Sequence, residues 1–414
     1  MVTIKPFAAL RPQPELAAQI CELPYDVMSS EEARALAAGN PLSFLHVSKP
    51  EIDLPPGTDV CSAPVYAKGK ENFDRLIQEG ALRLDAKPSF YLYRQVMSRH
   101  SQVGLVAVAS CEDYLRGVIK KHEFTRPDKE DDRVRHIETL HSQTGPVFLV
   151  YRASDALDQL VARKTAEAPD IDFTAADGVR HTAWVAGDAA SLESIQAEFS
   201  RMACLYIADG HHRSAAAGRV YQSRKAAATE RGTPLRDDPS AFFLSVLFPH
   251  NQIQILPYNR VLKDLNGLSP EKVLQALKRV FIIQPGGSGV PAGKHELGFL
   301  FRGQWRALRF GPRLTTTSNP IDRLDVSLLQ KHVLDPVFGI QDPRTSNRIG
   351  FVGGIRGVAE LEKLVNQGEC ACAFSMFPTS IEDLMAIADA GGVMPPKSTW
   401  FEPKLRDAMF CHML

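Results

Sequence analysis

The sequence predicts a mixed α/β protein in which strands and helices are interleaved. Three observations carry that reading. Strand-length apolar runs alternate with helical stretches over residues 145–220, an arrangement that buries sheet faces under helices. Phe90 to Met97 and Val103 to Cys111 are apolar at strand length on either side of a turn-like Ser98 to Gln102, which predicts a hairpin. The chain has 414 residues, 44% hydrophobic and 23% charged, which is enough for an ordinary globular core and for two or three domains.

The elements follow in order. Pro24-Tyr25-Asp26-Val27 leads to Ser29-Ser30-Glu31-Glu32, a hydroxyl cap with early carboxylates, and the helix it opens should stop at Gly39. Asp26 precedes that cap and suits either a capping or a site role. A loop is expected over Pro50 to Pro64 and a helix over Lys68 to Glu79. After the hairpin come a charged helix at 129–141, a strand at Val147 to Tyr151 and a helix at Asp155 to Lys164. A strand at Thr182 to Ala186, a helix at Leu192 to Phe199 and a strand at Cys204 to Ala208 complete this part. Further on, strands are expected at 241–248, 252–256, 280–283, 296–302, 305–310, 347–354 and 371–376. Helices are expected at 270–279, 326–333 and 380–390. Pro285-Gly286-Gly287-Ser288-Gly289 reads as a loop: Ser288 and His295 stand where a Walker A loop needs Gly and Ser or Thr, and Pro291 spoils a dinucleotide fingerprint.

The totals exclude several classes. Forty-eight basic residues balance forty-eight acidic ones, so no global field draws the chain to nucleic acid or to an anionic membrane. No apolar run approaches the ~20 residues of a membrane span. The seven cysteines are scattered apart from Cys370-x-Cys372 and lack a zinc spacing, so reduced thiols are expected. The first residues lack the apolar core of a secretory signal, and a cytoplasmic location is expected.

Two stretches carry chemistry. In Asp209-Gly210-His211-His212-Arg213, an apolar strand turns through Gly210 into an Ala-rich helix. The first N–H groups of a helix have no partner inside it and form a ready anion site. Arg213 adds a planar cationic fork, and Asp209 puts a carboxylate at the lip. The same pattern also fits a capped helix with its imidazoles in solvent. In Lys120-Lys121-His122-Glu123-Phe124-Thr125, a carboxylate follows a strand and suits a general base or a metal ligand, or belongs to a solvated loop. It is not the H-E-x-x-H zinc motif, because residue 126 is Arg. Near the C-terminus, Met394-Pro395-Pro396-Lys397-Ser398-Thr399 is too rigid for a frayed tail, and its Lys397, Ser398 and Thr399 could reach an anion.

Taken together, these motifs in this order resemble a bacterial and archaeal family, domain of unknown function 1015. The segments carrying the resemblance are Pro24 to Val27, Lys121-His122-Glu123-x-Thr125 with Asp132-Arg133, Ala208 to Arg213, and Met394 to Thr399. The His-Glu motif, then a helix, then Gly145-Pro146-Val147-Phe148, then Asp-Gly-His-His-Arg is also similar to free serine kinases of the ParB/sulfiredoxin superfamily. That resemblance implies a ParB/sulfiredoxin-like nucleotide-binding core over 100–235. An N-terminal segment (1–99) would pack on it, and a C-terminal α/β domain (236–414) would wall the acceptor site through Arg348, Lys397 and Ser398. It implies Glu123 as base with His122 beside it, and Asp209 as a catalytic or Mg²⁺-associated carboxylate. Gly210, His211, His212 and Arg213 become the phosphate cradle, with Lys121 and Thr125 at the nucleotide. The chain departs from those kinases in its length, with ~60 residues between the Pro-plus-strand segment and the cradle.

The function expected is a Mg²⁺-dependent kinase moving a phosphoryl group from ATP or ADP to a small hydroxylated metabolite, with free L-serine the first candidate. Such transfer needs positioning, cations over the phosphate oxygens and a proton acceptor. A non-catalytic nucleotide-binding switch is the alternative, and a metallohydrolase using His122, Glu123, His211 and His212 a third. A homo-oligomer stays open.

Overall fold

The computed structural model describes residues 1–233 and 238–414. It divides into two compact units: Met1–Ile253 with Pro403–Leu414, and Gln254–Glu402. These borders differ from those expected. The border expected after residue 99 falls inside the hairpin Phe90–Met97/His100–Ser110, whose strands pair from Tyr91–Val106 to Met97–His100. A cut there would leave an open sheet edge on both sides. The last dozen residues return to the first unit, where Ala408 and Cys411 are fully buried beside Leu10, Ile20, Phe44 and Phe73.

The first unit is built on a nine-stranded mixed sheet. Across it run Ile119–Lys120, Leu205–Asp209, Val147–Tyr151, Phe242–Pro249, His100–Ser110, Phe90–Met97, Arg180–Ala186 and Ile171–Thr174, and Ile4–Lys5 adds to His100–Ser110. Its strands are apolar because helices cover them: Phe90, Leu92, Leu149, Trp184, Ile207 and Leu247 are buried in one cluster. Each such side chain contributes about 1.5–3 kcal/mol on burial. The Ile171–Thr174 strand was not expected; its polar Asp172 and Thr174 belong to a sheet edge, which hides the period. The capped helix near the N-terminus forms as expected over Ser30–Ala37, with Ser29 and Glu32 closing a reciprocal capping box.

Topology fixes where the chemistry sits. Leu205–Asp209 and Ile119–Lys120 are parallel neighbours, so the residues following them leave at the same edge of the sheet. Val147–Tyr151 is antiparallel to Leu205–Asp209 and begins at that edge, directly after Pro146. The pairing register slips between Ile207 and Asp209. Such a bulge re-aims a side chain at the end of a strand.

The second unit carries an all-antiparallel six-stranded sheet: Phe281–Pro285, Gln304–Phe310, Glu296–Phe301, Cys372–Ser375, Tyr258–Leu262 and Ile349–Gly353. The loop expected at 285–289 is one, with Gly286, Gly287 and Gly289 at φ of 81°, 121° and 75°. A helix at Gly357–Asn366 was not expected, although Val358, Leu361, Leu364 and Val365 mark an apolar face at helical spacing. No helix among the described residues is long and apolar enough to cross a membrane.

Candidate functional site

The site lies where the Leu205–Asp209 strand turns into the helix His211–Glu230. Gly210 makes the turn at φ 93°, ψ 29°, a left-handed conformation that a Cβ would resist. A Cβ there would also sit 3.3 Å from Arg213 Nε and from the Val147 Cα. The helix forms because Ala215–Ala217 and Ala226–Ala228 are strong helix formers. No side chain caps its N-terminus among the described residues.

Asp209 is the first point where geometry and expectation part. Its Oδ1 accepts the Gly210 N–H at 2.8 Å, and its Oδ2 lies 2.9 Å from Lys404 Nζ. Burial alone would raise this carboxyl, but Lys404 and Arg213 more than offset it and hold it well below the usual carboxylate range. Mg²⁺ takes octahedral oxygen ligands and sheds water reluctantly. A carboxylate with one oxygen on an amide and the other on an ammonium does not fit that demand. Asp209 is therefore the anchor of a salt bridge here. Lys404 escaped the sequence reading; the only hint was the rigid character of the stretch that ends with it.

Arg213 also differs from the expected open fork. Its Nη1 donates to the Pro146 carbonyl at 2.5 Å, and its buried Nε has no hydrogen-bond partner among the described residues. Burial disfavours its charge, while Asp26, Asp209 and Asp407 favour it strongly enough to raise its pKa. Asp26, which sequence left between two roles, thus faces Arg213 electrostatically. Asp407 is buried with Oδ1 unpartnered among the described residues, and burial pushes its carboxyl up to about 7 against the pull of Arg213. Arg213 and Asp407 line a cavity of about 30 Å³ with Tyr25, Arg133 and Gly145, room for about one water.

The His-Glu stretch meets this turn from the neighbouring strand. His122 and His211 are both buried, with rings edge to face at 4.5 Å. Burial pulls His122 down to about 4 and His211 well below its ordinary value, so both imidazoles are neutral at pH 7. Glu123 Oε2 lies 3.9 Å from His211 Nδ1, too far for a hydrogen bond. One nitrogen of each ring and one Glu123 oxygen lie within 4.8 Å of one another. His122 Nδ1 is buried without a hydrogen-bond partner among the described residues. This donor set of two imidazoles and a carboxylate suits zinc-type ions better than magnesium.

The remaining expected residues divide. His212 is half-buried and its Nε2 accepts the Arg126 N–H at 3.1 Å, so it stands apart from the His122–Glu123–His211 group. Lys121 Nζ lies 3.8 Å over the Tyr114 ring, and burial lowers its pKa. Thr125, in the loop leading to the helix Pro127–Leu140, donates its hydroxyl to Glu130 in the first turn of that helix. Arg348, Lys397 and Ser398 belong to the second unit. There Arg348 Nε donates to Asp264 at 2.9 Å, Lys397 Nζ sits 5.3 Å from the Tyr258 ring centre, and Ser398 Oγ donates to the Pro395 carbonyl at 2.6 Å.

Residues 4–327 match the family described as protein of unknown function, DUF1015. The chain belongs to that family. No curated protein matches this DUF1015 chain. Among solved structures, it is similar to a conserved hypothetical protein from Pyrococcus furiosus, at 13% identity and a TM-score of 0.35, covering 73% of this chain and 93% of the other. It is also similar to a free serine kinase in complex with AMP, at 13% identity and a TM-score of 0.34, covering 72% and 86%. A third is SbnI with a C-terminal truncation from Staphylococcus aureus, at 10% identity and a TM-score of 0.38, covering 73% and 85%.

Proposed function

We propose that this chain is a nucleotide-dependent small-molecule kinase whose donor phosphates sit on the N-terminus of the His211–Glu230 helix. The observation that carries the reading is the meeting of an uncapped helix N-terminus behind Gly210 with the Glu123 carboxylate, 3.9 Å from the first helical side chain. The helix start supplies N–H donors and the positive end of the dipole for a terminal phosphate. Glu123 takes the proton of the acceptor hydroxyl as its oxygen bonds to phosphorus. The bond from phosphorus to the bridging oxygen breaks, and the nucleotide leaves with one phosphate fewer. The salt bridge from Asp209 to Lys404 and the tether from Arg213 to Pro146 hold the turn in place. In this reading the core is ParB/sulfiredoxin-like, the donor ATP or ADP, and free L-serine the first acceptor to try. No step is assigned to a metal on Asp209.

The test is calorimetric titration of ADP and AMP into the full chain and into Gly210→Ala, with folding checked by circular dichroism. Saturable binding that falls at least tenfold in the variant supports the cradle; absence of binding to the unmodified chain removes it.

A second reading, metal-assisted hydrolysis, is favoured by the His122–Glu123–His211 group. A bound transition metal would engage Glu123 as ligand and leave an open position for water.

A further inference from the structure

Arg260 lies on the Tyr258–Leu262 strand, paired on one side with Ile349–Gly353 and on the other with Cys372–Ser375. It is 4% exposed, an unusual place for a permanent charge. Its Nη1 donates to the Tyr258 carbonyl, its Nη2 to the Lys397 carbonyl at 3.1 Å, and its guanidinium lies 5.5 Å from the Phe351 ring centre. Among the described residues no carboxylate pairs with it. Burial pulls its pKa down to about 10, so it remains charged at neutral pH without a counter-ion. Tying two carbonyls together needs donors but not a charge, and an unpaired buried cation is costly.

Beside Arg260 opens a cavity of about 280 Å³, lined also by Val326, Leu334, Ile349, Phe351 and Pro395. At ~30 Å³ per water it holds about nine waters, or one small organic molecule. Asp342, the carboxylate on its wall, is already paired with Arg344 at 2.8 Å. The site thus offers one uncompensated cation and an apolar wall of Val326, Leu334, Ile349, Phe351, Pro395 and Pro396, with Gln330 and Gln341 as neutral polar lining. Arg260 donates from two of its nitrogens to carbonyls and keeps further N–H groups, the fork that suits a planar carboxylate.

We propose that this cavity binds a small carboxylate with an apolar body, its anionic end on Arg260. This also gives the Pro395-Pro396-Lys397 turn a role: Pro395 and Pro396 form wall, and the Lys397 carbonyl steadies the guanidinium. Nothing in this site depends on phosphoryl transfer in the first unit.

The experiment uses the full chain with benzoate, hexanoate and inorganic phosphate as probes, followed by ligand-observed NMR and calorimetry. The expected result is saturable binding of one or both carboxylates, with affinity at least tenfold lower in Arg260→Gln and partly kept in Arg260→Lys. Ile349→Phe, which narrows the cavity and leaves the charge, is the second arm should Arg260→Gln fail to fold; it too should lose the carboxylates. Phosphate binding in preference to both carboxylates overturns the ligand class. Equal binding in wild type and variants, or no binding of any probe, overturns the site.

Discussion

Lys404 Nζ stands 2.9 Å from Asp209 Oδ2, joining the last stretch of the chain to the turn that opens the His211–Glu230 helix. Lys404→Met should cost about 1.5–3 kcal/mol, the range for a lost hydrogen bond to a charged group. The sign of the pH dependence follows from the direction of the shift. Asp209 is held below its unfolded value, so its contribution is present above about pH 4 and is lost as pH falls through the folded pKa. Urea midpoints at pH 7 and pH 2 check this: the gap between wild type and Lys404→Met should be wide at pH 7 and clearly smaller at pH 2. An equal gap at both would remove the ion pair as its cause.

Asp407 behaves in the opposite sense. Its carboxyl is raised to about 7, so between about pH 4 and pH 7 the unfolded chain is ionised there while the folded chain keeps the proton. The folded state then binds more protons, and this group erodes stability as pH rises through that window. Asp407→Asn should raise the urea midpoint at pH 8 and leave it nearly unchanged at pH 4. A variant less stable at pH 8 would mean that the pull of Arg213 outweighs burial.

The neutral His122 and His211 make the metal reading testable by itself. Purified chain stripped with chelator should then take up one cobalt or zinc ion, with uptake weakened at least tenfold in Glu123→Gln. Tetrahedral ligands about 2.0–2.1 Å from zinc sit roughly 3.3 Å apart, so the 4.8 Å spread must contract, a movement open to the exposed Glu123 side chain. Uptake indifferent to Glu123 would place any metal elsewhere.

The capping box at Ser29 and Glu32 offers a control away from the site. Ser29→Ala should cost ~1 kcal/mol of stability with nucleotide binding unchanged. A loss of nucleotide affinity would link this helix to the cradle.

Much of the fold was legible because local rules agree with packing. The Val147–Tyr151 strand, the hairpin and the Gly210 turn each announce themselves through apolar runs or one left-handed glycine. The pairing of Ile119–Lys120 beside Leu205–Asp209 was not, since parallel neighbours are set by long-range contacts. For the same reason sequence named His122, Glu123 and His211 in separate motifs without fixing their separation. Lys404 and Asp407 stayed hidden because nothing local says that a C-terminal stretch returns to a sheet 195 residues upstream. The surroundings of Arg213 are not legible locally either, because the carboxylates that act on it come from three separate segments, at Asp26, Asp209 and Asp407.

The most direct measurement is product formation: full chain with magnesium, ATP or ADP, and hydroxylated metabolites led by L-serine, read by mass spectrometry. The kinase reading predicts a phosphorylated acceptor, with turnover lowered about 10²-fold or more in Glu123→Gln while nucleotide affinity is kept. Nucleotide binding without product from any acceptor, or turnover unchanged in Glu123→Gln, would contradict it.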